Sequence, residues 1–274
     1  MKDERVVLIT GASSGFGRAT AEHLAKNGYW VFGTSRHPEK VKSFDTEKWL
    51  GKLEIIEMNV NRNDSVIKGI ALIMKKSGRL DVVINNAGFS IAGSIEDTSM
   101  MEAKSQLETN FFGVHRVCLQ VLPIMREQGS GYIINISSLA GLVGIPFQGL
   151  YSASKWALEG YTEGLRMEVK TFGIKVALIE PGDFNTPLTL NRQKTKKSQE
   201  TVYWESFDKA LGAAEESEKK GGSPQEIAYL IERIIDTDSP KLRYRIVPSS
   251  TLVGLKKFIP PRIAEYLVMK IFKL

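Results

Sequence analysis

The stretch "VVLITGASSGFGRATAEHLAK", residues 6–26, decides the fold. It opens as a short β-branched apolar run, breaks on Gly11, Gly15 and Gly17, and continues with helical period. A glycine-rich turn between a first strand and a first helix lets the backbone approach a pyrophosphate, whose charge is favoured by the free N–H groups at the helix N-terminus. The spacing is GxxxGxG, not the GxGxxG of the standard fingerprint, so it points to a particular subgroup of dinucleotide binders. A tight turn packed for its own sake is the competing reading.

Further along the chain, "YWVFGTS" (29–35), "LEIIEMNV" (53–60), "DVVINN" (81–86), "GYIINIS" (131–137), "IKVALIEP" (174–181) and "YRIV" (244–247) read as strands, separated by helix-period segments. That alternation predicts a parallel sheet, and the nearly continuous apolar character of the strands requires cover on both faces. With right-handed crossovers, the simplest topology is an α/β doubly wound parallel sheet of seven strands. One domain is expected over 1–248, including a polar, Lys/Glu-rich insertion at 187–222, with an amphipathic extension at 249–274.

At 274 residues, 42% hydrophobic and 25% charged, the chain has the composition of a globular protein. The net charge of +6 sits mostly in the last residues, where Lys256, Lys257, Arg262, Lys270 and Lys273 face Glu265 alone. A broad basic face for nucleic acid is therefore not expected. Cys118, in "VHRVCLQVL", reads as a small buried hydrophobe; a lone cysteine leaves no disulfide framework or Cys-rich metal site. His23, His37 and His115 have no ligand spacing, so no metal is expected. The opening "MKDERVVLIT" passes from charge straight into a strand without a secretory apolar region, and no run reaches the ~18 apolar residues of a membrane span. A cytoplasmic protein is expected.

The end of the second strand bears on the cofactor, because an acidic side chain there bonds the adenosine ribose hydroxyls and repels a 2′-phosphate. This chain has Ser35 and Arg36 instead. A guanidinium pairs bidentately with phosphate, so NADP(H) is expected over NAD(H); the competing reading is that Arg36 only caps an exposed loop.

Six motifs in order, "TGASSGFG", "NNAG" (85–88), "ETNFFG" around Asn110, "INISS" ending at Ser138, "YSASK" (151–155) and "PGDFNT" (181–186), resemble those of the short-chain dehydrogenase/reductase family in its compact, Rossmann-like form. The likeness runs motif by motif over about 4–186. It implies a catalytic tetrad of Asn110, Ser138, Tyr151 and Lys155. Tyr151 would exchange the proton while Ser138 holds the substrate oxygen, as charge grows there during hydride transfer. Bringing a phenol from about 10 to about 7 amounts to about 4 kcal/mol of preferential phenolate stabilisation, which Lys155 and the oxidised nicotinamide are suited to supply. The resemblance also implies that Lys155 bonds the nicotinamide ribose and that Asn110 holds a water linking the lysine to solvent.

Around the cofactor, the resemblance places Gly11, Ser13, Ser14, Phe16 and Gly17 at the pyrophosphate and Ser35 and Arg36 at the adenosine ribose. Asn86, Ala87 and Gly88 brush that ribose, and Pro181, Gly182, Phe184 and Thr186 wrap the nicotinamide. Asn59 stands before Val60, where the family usually has an aspartate meeting the adenine; an amide oxygen still accepts that bond.

In this family the segment after the sixth strand covers the substrate. Here Leu188, Leu190, Val202, Tyr203, Trp204 and Phe207, with Leu139, Leu142, Val143, Ile145, Pro146 and Phe147, and Phe89, Ile91 and Ala92, are expected to wall an apolar pocket. That suits a bulky hydrophobic carbonyl or secondary alcohol, steroid- or retinoid-like; the competing reading is that they only pack the lid on the body. Three readings of the tail stay open: a pocket wall, a subunit contact in a homodimer or homotetramer, and weak membrane-surface contact. Two other functional classes stay open as well. A non-catalytic dinucleotide sensor would not need the full tetrad, and a sugar-nucleotide epimerase would need a larger C-terminal substrate domain.

Overall fold

Alternation along a strand sends neighbouring side chains to opposite faces, so continuous apolar strands make two cores. The computed structural model describes residues 5–187, 192–197, 201–246 and 259–274. Its strands are β1 (Val6–Ile9), β2 (Trp30–Ser35), β3 (Lys52–Glu57), β4 (Val82–Asn85), β5 (Ile91–Ala92), β6 (Gly131–Ile136), β7 (Ile174–Pro181), β8 (Gln193–Lys194) and β9 (Arg243–Ile246). Seven of them form one sheet in the order β3-β2-β1-β4-β6-β7-β9, and every pairing is parallel.

The α-helices of the described residues are α1 (Gly15–Lys26), α2 (Asn63–Ser77), α3 (Met100–Leu107), α4 (Gly113–Gln128), α5 (Gly149–Val169), α6 (Trp204–Lys219), α7 (Pro224–Ile235) and α8 (Pro261–Ile271). Leu8, Phe32, Val83, Ile133 and Val176 pack with Ile70 and Ile73 of α2, Val117 and Val121 of α4, and Leu158 and Leu165 of α5. On the other face Val7, Ile9, Val31, Ile84, Ile134 and Ile179 meet Ala21 and Leu24 of α1 and Ile227 and Ile231 of α7. Cys118 is fully buried in the first of these cores, and burial pushes its thiol up to about 11, far from reactive thiolate character.

The seven-stranded doubly wound sheet is the one expected. The third strand ends at Glu57 instead of Val60. There Met58 N–H still bonds the Ser35 carbonyl at 3.0 Å, but the Asn59 side chain turns back to accept the Asn61 N–H at 3.0 Å and starts a turn. Val247, the expected end of the last strand, lies outside the described residues, as does Pro248. β5 and β8 form a separate parallel pair that periodicity could not reveal, since each has only two residues.

The last strand is tied down electrostatically. Glu180 of β7 is fully buried, and both Arg243 (3.0 Å) and Arg245 (2.7 Å) of β9 reach its carboxylate. Arg243 also pairs with Glu159 and Glu163 of α5, locking the helix that carries the tetrad's Tyr–Lys pair to the sheet edge. Among the described residues no helix is long and apolar enough to cross a membrane. The topology positions one crevice above all. From β1 the chain winds outward to β2 and β3, then returns to β4 on the other side of β1, and strand order reverses at their carboxyl ends.

Candidate active site

At that reversal the glycine turn is held by side-chain and backbone bonds. Thr10 Oγ1 accepts from the N–H groups of Asn86 and Ala87, both at 3.0 Å. Asn86 Nδ2 donates to the carbonyls of Thr10 (2.9 Å) and Gly11 (3.0 Å). Gly11 has φ +69°, and a Cβ there would lie 2.9 Å from Ala87 Cα; one on Gly17 would lie 2.4 Å from the Gly11 carbonyl. Only glycine fits either position. Ser14 caps α1 in extended conformation with no side-chain cap bond, while Ser13 and Ser14 are exposed. The first N–H groups of α1 are therefore available to an anion.

The nicotinamide-side motif crosses this turn. The Phe184 ring packs edge-on to Phe16, centroids 5.2 Å apart, and Thr186 sits 3.8 Å from where a Gly15 Cβ would be. Pro181 ends β7, and Gly182 N–H bonds the Ile246 carbonyl at 3.1 Å. At the adenosine side, Ser35 Oγ accepts from His37 N–H at 3.1 Å, and Arg36 is exposed beside it at the end of β2. Asn59 Oδ1 already accepts from Asn61, leaving one lone pair for a further donor. The Val60 side chain is buried against Gly113, and its carbonyl accepts from Arg116 Nη1 at 3.3 Å.

The tetrad comes together from three elements. Ser138 follows the end of β6, its Oγ accepting from Ala140 N–H at 3.1 Å and near enough to the Tyr151 phenol to oppose the rise of its pKa. Tyr151 and Lys155 lie one turn apart on α5, with Nζ 5.8 Å from the phenol ring centroid. Lys155 Nζ donates to the Ile136 carbonyl at 2.8 Å, and burial lowers its pKa from 10.5 to about 8, against the nearby Glu159 carboxylate. The phenol was expected to be brought down by Lys155 together with the oxidised nicotinamide of the bound cofactor. In this structure burial raises it, and the groups opposing that rise are the Ser138 hydroxyl and the Arg192 cation.

Asn110 lies in a π-helical turn, Glu108–Phe112, where the extra residue per turn points its side chain at the strand end. Its Oδ1 accepts from Phe89 N–H (3.1 Å), and Nδ2 donates to the Phe89 carbonyl (3.0 Å) and Ser154 Oγ (3.1 Å). Gly88 leaves room for this clasp, since a Cβ there would lie 3.1 Å from that Oδ1 and the amide would have to give by a few tenths of an ångström. The side chain thus clasps the chain after "NNAG".

Part of the expected apolar wall is present. Phe207 and Ala92 are buried together with Leu211, and Phe147 and Trp204 pack on them. Phe147 adopts φ +58°, rare for a bulky residue; its carbonyl accepts from Gly93 N–H (2.8 Å) and its ring meets Phe207, centroids 5.6 Å apart. Val202 is 95% exposed and is no part of a wall, because it sits one turn before α6 with its side chain in solvent. Leu188 and Leu190 lie outside the described residues. An open hollow of about 510 Å³ lies between Ile95, Pro146, Phe147, Tyr203 and Leu274. None of the tetrad lines it. Leu274 brings the tail to that hollow, while Ile263, Tyr266 and Ile271 of α8 stay more than half exposed.

A family model described as short chain dehydrogenase matches residues 5–197. The chain belongs to the short-chain dehydrogenase/reductase family. It is 41% identical to a 3-ketodihydrosphingosine reductase of Bacteroides thetaiotaomicron, over 98% of this chain and 97% of the relative. It is 34% identical to the retinol dehydrogenase 8 of Bos taurus, over 93% and 86%. A solved short-chain dehydrogenase from Streptomyces avermitilis superposes with TM-score 0.80 at 32% identity, covering 97% of both chains. The solved structure of ElxO with NADP bound superposes with TM-score 0.71 at 29% identity, covering 89% of this chain and 96% of that one. The protein is therefore an oxidoreductase of this family whose fold carries a nicotinamide nucleotide.

The buried ammonium generates a stability prediction. A pKa lowered from 10.5 to about 8 corresponds to about 3 kcal/mol against the charged form, and the bond to Ile136 returns about 1 kcal/mol. The unfolded chain binds more protons between those two values, so wild-type stability should rise with pH across that window. In urea titrations Lys155→Met should be about 2 kcal/mol more stable than wild type at neutral pH, with the gap closing from about pH 8 towards 10.5. A variant less stable than wild type at neutral pH would show that the ammonium is not held at a cost.

Proposed function

We propose that the protein is an NADP(H)-dependent reductase or dehydrogenase interconverting a ketone and a secondary alcohol on a bulky or long-chain hydrophobic molecule. The carrying observation is the convergence of Ser138, Tyr151 and Lys155 beside a glycine turn at the sheet's reversal point. The buried Ala92–Phe207–Leu211 cluster and Phe147 support an apolar substrate. The names of the two relatives support it too, each denoting a carbonyl or alcohol on a hydrophobic molecule.

When bound, the reduced nicotinamide supplies the hydride. The chain's residues do the remainder. The Ser138 hydroxyl orients the substrate carbonyl against Tyr151, whose burial keeps its hydroxyl protonated and so ready to give its proton to the oxygen as the hydride reaches the carbon. Lys155, anchored on the Ile136 carbonyl, keeps positive charge one turn from the phenolate that forms. With the Asn110 side chain committed to Phe89 and Ser154, the backbone of its π-turn holds the water that returns a proton through Lys155. Arg36, exposed at the end of β2 with no acid in its place, takes the 2′-phosphate.

Tyr151→Phe removes one oxygen and should lower turnover of a hydrophobic ketone by several orders of magnitude while cofactor affinity is preserved. Steady-state absorbance of the reduced nicotinamide reads this, and turnover within about tenfold of wild type would remove Tyr151 from its role. Arg36→Ala loses a phosphate partner worth about 1.5–3 kcal/mol, so calorimetry should show NADPH binding weakened roughly 10- to 150-fold with NADH nearly unchanged. Equal wild-type affinity for both cofactors would contradict the NADP(H) assignment.

A further inference from the structure

Among the described residues, the buried cation Arg192 has so far entered only through its pull on the Tyr151 phenol. Arg192 immediately precedes β8, and its backbone neighbourhood is pinned to the chain after "NNAG": Gln193 N–H bonds the Ser90 carbonyl at 3.0 Å and Thr195 N–H the Ala92 carbonyl at 2.9 Å. Thr195 is wedged so closely on Gly93 that a Cβ there would meet its Oγ1 at 2.3 Å. Ser90 in turn donates to Gln148 Oε1 at 3.1 Å, at the head of the helix that carries Tyr151. The strand pair therefore delivers Arg192 to the lid's inner side by fixed backbone contacts.

Its side chain is only 3% exposed. Nη2 bonds the Glu218 carboxylate of α6. Nε and Nη1 are both buried and have no hydrogen-bond partner. A buried donor left unmade costs about 1–3 kcal/mol, and a charged one more, so a guanidinium held this way is not there for stability. The charge of Arg192 also acts on the Tyr151 phenol, with Glu218 acting in the opposite sense, which puts the ion pair within electrostatic reach of the reacting oxygen.

From this geometry we infer that Arg192 is a specificity-determining residue whose Nε and Nη1 receive a second oxygen of the substrate, a hydroxyl close to the reacting carbonyl. Glu218 offsets the guanidinium charge, so the pair presents two donors with little net field, which fits a neutral acceptor better than a carboxylate. The inference rests on the ketone-reductase reading above. It adds that the preferred substrate is a hydroxylated ketone, polar at the reacting end and apolar beyond it. A site built to bond a substrate hydroxyl rejects the analogue that lacks it, because its own buried donors are then left unpaired.

The test compares a medium-chain methyl ketone with the same ketone bearing a hydroxyl on its methyl carbon. Wild type should favour the hydroxyketone in kcat/KM by about tenfold or more. In Arg192→Met that ratio should collapse towards one, through KM rather than kcat; Arg192→Lys, which keeps the charge but not the planar fork, should fall between. Arg192→Met combined with Glu218→Gln removes both charges and guards against a variant that fails to fold with one charge stranded. If a variant turns over neither ketone, the same ratio is read from calorimetric binding of the two ketones to the protein loaded with reduced cofactor. A preserved ratio in the variants, or a wild type indifferent to the hydroxyl, overturns the role of Arg192 while leaving the reductase reading intact. A wild type that oxidises neither reduced cofactor with either ketone overturns both.

Discussion

The structure depends on one close approach: the Asn86 amide reaching across the strand reversal to the carbonyls of Thr10 and Gly11. A doubly wound sheet has a crevice where strand order reverses, but the crevice has no fixed shape until the loops above the two strands are joined. Asn86 joins them, and Gly11 and Gly17 leave the room it requires, since a Cβ on Gly17 would also lie 2.5 Å from Asn86 Nδ2. The start of α1, the turn after β4 and the Phe16–Phe184 contact then share one rigid frame. Everything at the chemical end is placed relative to that frame.

At the chemical end burial works against ionisation, and the chemistry is built from that opposition. Lys155 is driven down to about 8, so its ammonium is held at a cost, and Tyr151 is driven up, so its phenol stays protonated. In the proposed reaction the protonated Tyr151 phenol is the proton donor, and the Lys155 ammonium one turn away favours the phenolate that proton loss creates. The network around Arg243, Glu159, Glu163 and Glu180 fixes α5 against the sheet edge, so that neither group relieves its burial by moving away.

Much of this was legible before any coordinates. The central strands of the sheet announce themselves because parallel strands covered on both faces are nearly continuous in apolar residues, while the tetrad residues were singled out by the likeness of six ordered motifs to those of the family. What stayed hidden shares a physical cause: it depends on contacts between distant segments. The two-residue strands β5 and β8 carry no periodicity, the left-handed backbone of Phe147 has no sequence signal, and Arg192 lies in an insertion that reads only as polar and Lys/Glu-rich. The engagement of the Asn110 side chain with Phe89 follows from a π-turn, which no local pattern marks. Val202 misled because an apolar residue in a lid is as readily exposed as buried.

The central claim is that this site passes a hydride from one face of a nicotinamide to a ketone carbon while the protein provides the proton. The most direct measurement uses reduced cofactor carrying deuterium on one face of the nicotinamide at a time, a hydrophobic ketone as acceptor, and mass spectrometry of the alcohol. Deuterium should appear on the carbinol carbon from one face only, because the segment around Phe184 is packed against Phe16 and presents a single orientation. Label arriving from both faces, or an alcohol with no label on carbon, would contradict the account.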